Sequence, residues 1–147
     1  MAFIIGKFQS NSLDDTKKIA SNLAKAIKAS TIFAFYGDLG SGKTTFIQTI
    51  LQHFNIPSHQ IQSPTFSYLH TYENLKNEIN LHHFDLYRLK SEKDFLALGF
   101  DEYLISDDIC LIEWAEKIET ILPADKTVII KINHINEFKR EIEILNA

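Results

Sequence analysis

The chain has 147 residues, 45% hydrophobic and 23% charged, with a formal net charge of −4 and one cysteine, Cys110. This is the size and balance of one globular domain, 1–147; it excludes global disorder, an internal disulfide framework and, by its acidic sign, a broad nucleic-acid surface. No apolar run approaches the roughly 20 residues that span a bilayer, and the first residues lack the basic and long apolar regions of a secretory signal. The expectation is a cytoplasmic protein with no membrane association.

In chain order, Phe3 to Phe8 read as a short first strand. Ser12 caps a helix expected from Leu13 to Ala29, with Asp15 as an imperfect capping-box partner. Ile19, Leu23 and Ile27 form its apolar stripe. The continuous apolar run Ile32 to Tyr36 predicts a strand buried on both faces. A glycine-rich turn follows, and then a second helix with Phe46, Ile47, Ile50, Leu51 and Phe54 on one face. Phe66 to Tyr72 and Ile79 to Asp85 predict two strands joined by a turn at Asn74 to Asn77. Ser91 to Tyr103 holds helical pieces broken near Gly99; Ile109 to Glu113 is another buried strand, and a short helix ends before Pro123. In the tail, Val128, Ile130 and Ile132, then Arg140, Ile142 and Ile144, recur at every second position against outward Glu141 and Glu143, which predicts an antiparallel pair at a sheet edge. The fold class is α/β: a P-loop fold with a mixed central sheet flanked by helices.

Gly37-Asp38-Leu39-Gly40-Ser41-Gly42-Lys43-Thr44 fills the G-x-x-x-x-G-K-[ST] template without mismatch, between a predicted strand and a predicted helix. Three of the chain's five glycines lie in it, where the backbone must turn and approach an anion closely. Such a loop aims N–H groups inward as an anion nest, and the helix N-terminus adds positive dipole. Lys43 supplies a mobile charge to the outer phosphates, and the Thr44 hydroxyl suits Mg²⁺.

A phosphate loop needs an acid at the end of a neighbouring strand. Asp85 and Glu113 both end predicted strands; Glu113 follows the purer apolar run and is the better candidate by pattern. Either could equally be a solvated strand-end residue. Ser63-Pro64-Thr65 sits where nucleotide-sensing loops often lie, although Ser-Pro also starts ordinary turns. Trp114 reads as core or interface. His82 and His83, being adjacent on a strand, point to opposite faces and read as structural or surface residues.

Taken together, the glycine loop through Thr45, Ser63-Pro64-Thr65, His83-Phe84-Asp85-Leu86-Tyr87-Arg88 and Leu111-Ile112-Glu113-Trp114 resemble the bacterial TsaE (YjeE) family of tRNA threonylcarbamoyladenosine biosynthesis. The resemblance implies an ATPase using ATP and Mg²⁺ that binds the proteins TsaD and TsaB and reaches tRNA only through them. It implies that Gly37 to Thr45, with Thr65 of the switch-like loop, contact the nucleotide. Lys43 and Thr44 would carry phosphate and Mg²⁺, Glu113 would be a second metal-site acid, and Asp85 a Walker-B-like or water-orienting acid. The catalytic set is then Lys43, Asp85 and Glu113, and the metal set Thr44, Asp85 and Glu113. The family usually has Ala at the position of Ser41.

Two other readings compete. A small-molecule P-loop kinase gathers arginines around the transferred phosphoryl group, and this chain has only Arg88 and Arg140. A regulatory module would bind nucleotide without hydrolysing it. A GTPase is poorly matched, because neither D-x-x-G nor N-K-x-D occurs.

Overall fold

The computed structural model describes residues 4–64, 66–74 and 78–146. Seven strands form one sheet in the order β1-β7-β6-β2-β5-β4-β3. They are β1 (Gly6–Ser10), β2 (Ile32–Tyr36), β3 (Leu69–Tyr72), β4 (Leu81–Asp85), β5 (Ile109–Glu113), β6 (Thr127–His134) and β7 (Arg140–Asn146). The centre is parallel, with β2 between β6 and β5 and β4 beside β5. The flanks are antiparallel: β3 on β4, β7 on β6 and β1 on β7. The mixed α/β architecture is therefore as expected.

Helix α1 (Leu13–Ala24) starts where Ser12 accepts a hydrogen bond from the Asp15 N–H at 3.1 Å. Asp15 reaches back to the N–H of Asn11 at 2.9 Å rather than to that of Ser12, so the box is closed one residue early. The helix is shorter than the stripe suggested. Beyond Ala24 the chain tightens into bonds from Ala26 to Leu23 and from Ile27 to Ala24, at 3.0 and 3.2 Å. Ile27 still packs on the core, because a tightened last turn keeps nearly the same face as the helix.

Helix α2 (Lys43–His53) follows β2 directly and, with α1, covers one face of the sheet through Phe33, Phe35, Phe46, Ile47 and Ile50. On the other face Ile32, Ala34, Phe84 and Ile112 pack against α3 (Glu92–Ala97), α4 (Asp101–Leu104) and the 3-10 segment Ala115–Ile121. Alternate residues of β2 thus feed two separate cores, which is why its sequence is apolar throughout. Gly99, with φ +75°, makes the break between α3 and α4.

Three further expectations change. The tail pair is not at an edge, since β6 pairs with β2 and β7 with β1. Alternation reports that one face is buried and carries no information about lateral neighbours. The first strand is Gly6–Ser10, with Phe3 outside the described residues. The strand expected from Phe66 begins at Leu69, because the Tyr68 N–H is spent on a turn to Pro64 O at 2.8 Å. The predicted Asn74 to Asn77 turn lies largely outside the described residues, although Glu78 N bonds Asn74 O at 3.0 Å across it. Among the described residues no helix is long and apolar enough to cross a membrane.

Candidate functional site

Register assembles the site. Phe35 pairs with Glu113, and Glu113 pairs with Asp85, so β2, β5 and β4 end side by side. The loop that leaves β2 therefore lies beside both acids, at the carboxyl ends where open α/β sheets place ligands. A cleft of about 580 Å³ opens there.

Residues Asp38 to Thr45 line this cleft. Gly37 opens the loop, whose packing requires a glycine there. A Cβ would stand 2.6 Å from the Ile132 carbonyl oxygen and 2.7 Å from Ser41 Oγ. Gly42 precedes α2 with φ +110°, a conformation that turns the chain into the helix and that a side chain would strain. The loop closes on itself through Ser41 N to Asp38 O at 3.1 Å.

Lys43 is 5% exposed. Its ammonium donates to the carbonyls of Gly37 and, at 3.2 Å, Asp38, and lies 4.0 Å from the centroid of the Trp114 ring. Burial pushes its pKa below the usual lysine value, while Glu113, Glu116, Asp85 and Asp38 pull it back up. The lysine is thus held charged-side-in by loop carbonyls, and an arriving anion would both stabilise its charge and compete for its protons.

Thr44 Oγ1 donates to Glu113 Oε1 at 3.4 Å. The other oxygen of Glu113 bonds His83 Nε2 at 2.8 Å, with both residues buried. Asp85 Oδ1 accepts the Tyr87 N–H at 3.1 Å, and Lys117 holds the same turn through Leu89 O at 2.8 Å. Tyr87 and Trp114 then pack ring to ring, 5.0 Å apart, on the cleft wall. Ser63 also lines the cleft, whereas Thr65 lies outside the described residues.

Several contributors escaped the sequence reading. His83 is neither a surface residue nor remote from the loop; strand alternation, which puts it on the same face as Asp85, was the available signal. His82 is structural as expected, bonded to Asp108 and Thr71 at 2.8 Å each. Trp114 faces the cleft because Glu113 is followed at once by a left-handed residue, φ +61°. Arg140 donates from Nε to Ser41 O at 2.9 Å and from Nη1 to Asn136 O at 2.7 Å, tying the loop to the β6–β7 connection. No local pattern announces a contact across 99 residues of chain. That connection also brings Phe138 to the cleft, which Leu13 of α1 lines as well.

The family model for "Threonylcarbamoyl adenosine biosynthesis protein TsaE" matches residues 10–142. The chain belongs to the TsaE family. Among relatives named tRNA threonylcarbamoyladenosine biosynthesis protein TsaE, that of Rickettsia bellii is 39% identical, covering 92% of each chain. That of Rickettsia felis is 38% identical over 92% of this chain and 77% of its own, and that of Bacillus subtilis 35% over 92% and 82%. The crystal structure of Bacillus subtilis YdiB superposes with a TM-score of 0.74 at 28% identity, over 99% of this chain and 90% of that one. Family membership and the P-loop fold, a fold suited to nucleotide and metal binding, are thus as the motifs implied.

Proposed function

We propose that this chain is a single-domain, cytoplasmic ATPase of tRNA threonylcarbamoyladenosine biosynthesis that binds ATP with Mg²⁺ and works with TsaD and TsaB. The observation that carries the nucleotide reading is the 3.4 Å approach of Thr44 Oγ1 to Glu113 Oε1 beside the glycine loop. Hydroxyl and carboxylate oxygens are the donors that Mg²⁺ prefers, and Asp85 stands next to them in register. Among the described residues no three His, Cys, Asp or Glu side chains group into a metal cage. A cation held here would therefore share its shell with phosphate oxygens and water, the usual arrangement for Mg²⁺.

Bound Mg²⁺ would offset charge on the outer phosphates. The loop N–H groups and the α2 N-terminus would bind those phosphates, and Lys43 would exchange its carbonyl partners for them. Glu113 and Thr44 would hold the cation, while Asp85, next to Glu113 in register, would serve as a Walker-B-like or water-orienting acid. The nucleoside would extend toward Leu13 and Phe138, both more than half exposed at the cleft rim.

Arg140 braces the loop, which leaves Arg88 as the one other arginine at the cleft. That disfavours a kinase, which gathers several bidentate donors at the transferred group. Net charge −4 supports access to tRNA through the partner proteins rather than by direct contact.

The test is ATP turnover by the protein alone and with TsaD, TsaB and tRNA. Strong stimulation in the full mixture is expected, with little salt-sensitive tRNA binding by the protein alone. Nucleotide binding without hydrolysis in any mixture would make it a regulatory module instead, and transfer to a small acceptor would make it a kinase.

A further inference from the structure

We propose that His83 is a positioning residue for Glu113: its hydrogen bond turns the carboxylate so that the other oxygen faces the Thr44 hydroxyl. This rests on the reading of Glu113 as a cation-site acid.

Strand geometry sets up the contact. Leu81, His83 and Asp85 of β4 share the face that also carries Ile109, Leu111 and Glu113 of β5. His83 is directly opposite Leu111 and Asp85 opposite Glu113, so the His83 ring reaches Glu113 on the diagonal. The two side chains meet at 2.8 Å, Nε2 to Oε2, with His83 1% and Glu113 4% exposed. With Nε2 as the donor of the pair, the carboxylate oxygen of Glu113 accepts.

The rest of the ring distinguishes positioning from ordinary structural use. His83 Nδ1 is buried with no hydrogen-bond partner among the described residues. The neighbouring His82 shows what a purely structural histidine looks like here, with Nδ1 on Thr71 and Nε2 on Asp108, each at 2.8 Å. Leaving a ring nitrogen unpaired in a buried site is unfavourable. The bond that holds His83 in place is the one to Glu113.

Glu113 needs that restraint. The last torsion of a glutamate is broad, so one buried carboxylate could present either oxygen at several angles. Lys43 also competes for it, since Glu113 is the strongest charge acting on that ammonium. With Oε2 taken by His83, Oε1 remains directed at Thr44 Oγ1. This is the relation by which outer residues orient metal-binding carboxylates, and losing such a partner typically costs about 10- to 100-fold in metal affinity.

The experiment follows Mg²⁺ binding to the ADP complex by fluorescence of Trp114, the chain's single tryptophan and part of the cleft wall. ADP affinity in EDTA is measured alongside. His83→Leu is expected to weaken apparent Mg²⁺ affinity by about 10- to 100-fold while leaving ADP affinity in EDTA unchanged. His83→Gln, whose amide can donate from nearly the position of Nε2, should recover most of the loss, and His83→Asn, too short to reach, should not. Wild-type Mg²⁺ affinity in His83→Leu overturns the proposal. If that variant does not fold, equal Mg²⁺ affinities for the Gln and Asn variants overturn it. Glu113→Gln separates the two levels. No change there removes the reading of Glu113 and the proposal with it, whereas a loss there without one in the His83 variants removes the positioning role alone.

Discussion

Ser41→Ala should stabilise the protein. Ser41 is buried in the glycine loop, and its Oγ has no hydrogen-bond partner among the described residues. It is wedged against Gly37 so closely that a Cβ there would stand 2.7 Å from it. A buried hydroxyl without a partner costs about 1–3 kcal/mol of desolvation. Removing it also forfeits the dispersion contacts of one oxygen and leaves a void smaller than a methyl group, a loss on the order of 1 kcal/mol. The balance favours alanine by about 1 kcal/mol. With a urea m value of about 1–3 kcal/mol/M, the unfolding midpoint should rise by roughly 0.3–1 M. The thermal midpoint should rise by about 2–4 °C. Equilibrium urea unfolding followed by circular dichroism reads this directly. A midpoint that falls at unchanged m would show that Oγ is hydrogen-bonded in solution and would refute the reasoning. ADP affinity should stay within about twofold, because backbone N–H groups carry the phosphate contacts.

Lys43→Ala should cut ATP turnover at saturating ATP by at least about a hundredfold, since no other loop residue brings full positive charge to the outer phosphates; near-normal turnover would discard the site assignment. Arg140→Met keeps the apolar stem but removes the bonds to Ser41 O and the β6–β7 connection, so calorimetry should show ADP binding about tenfold weaker, as loss of a charged hydrogen bond worth roughly 1.5 kcal/mol would give. Cys110 supplies a pH test, because burial pushes its thiol from 9.0 up to about 12. The unfolded chain then loses that proton first, so the contribution of Cys110 to stability is intact below pH 9 and declines as pH rises toward 12. Cys110→Ala, although less stable overall, should show a shallower alkaline decline in unfolding free energy; an identical slope would contradict the shift.

Much of this site is local in origin and therefore visible in the sequence. The loop from Gly37 to Thr44 is contiguous, and its glycines, lysine and threonine state their tasks by residue type. The buried strands Ile32–Tyr36 and Ile109–Glu113 are continuous apolar runs because both faces are covered. The acids Asp85 and Glu113 stand out because they end such strands. What the sequence could not supply was lateral order. Alternation in Val128 to Ile132 describes the faces of β6 and is silent on its pairing with β2 in the middle of the sheet. The same lateral order decides the chemistry of single residues. Placing β4 beside β5 converts His83 from an unremarkable strand histidine into the partner of Glu113. Placing β6 beside β2 brings the β6–β7 connection, and with it Arg140 and Phe138, over a loop encoded a hundred residues earlier. Period and propensity act over a few residues, whereas hydrogen-bonded register acts between segments with no sequence relation. The loop's identity was therefore written locally, and its supports were decided only when the strands were set side by side.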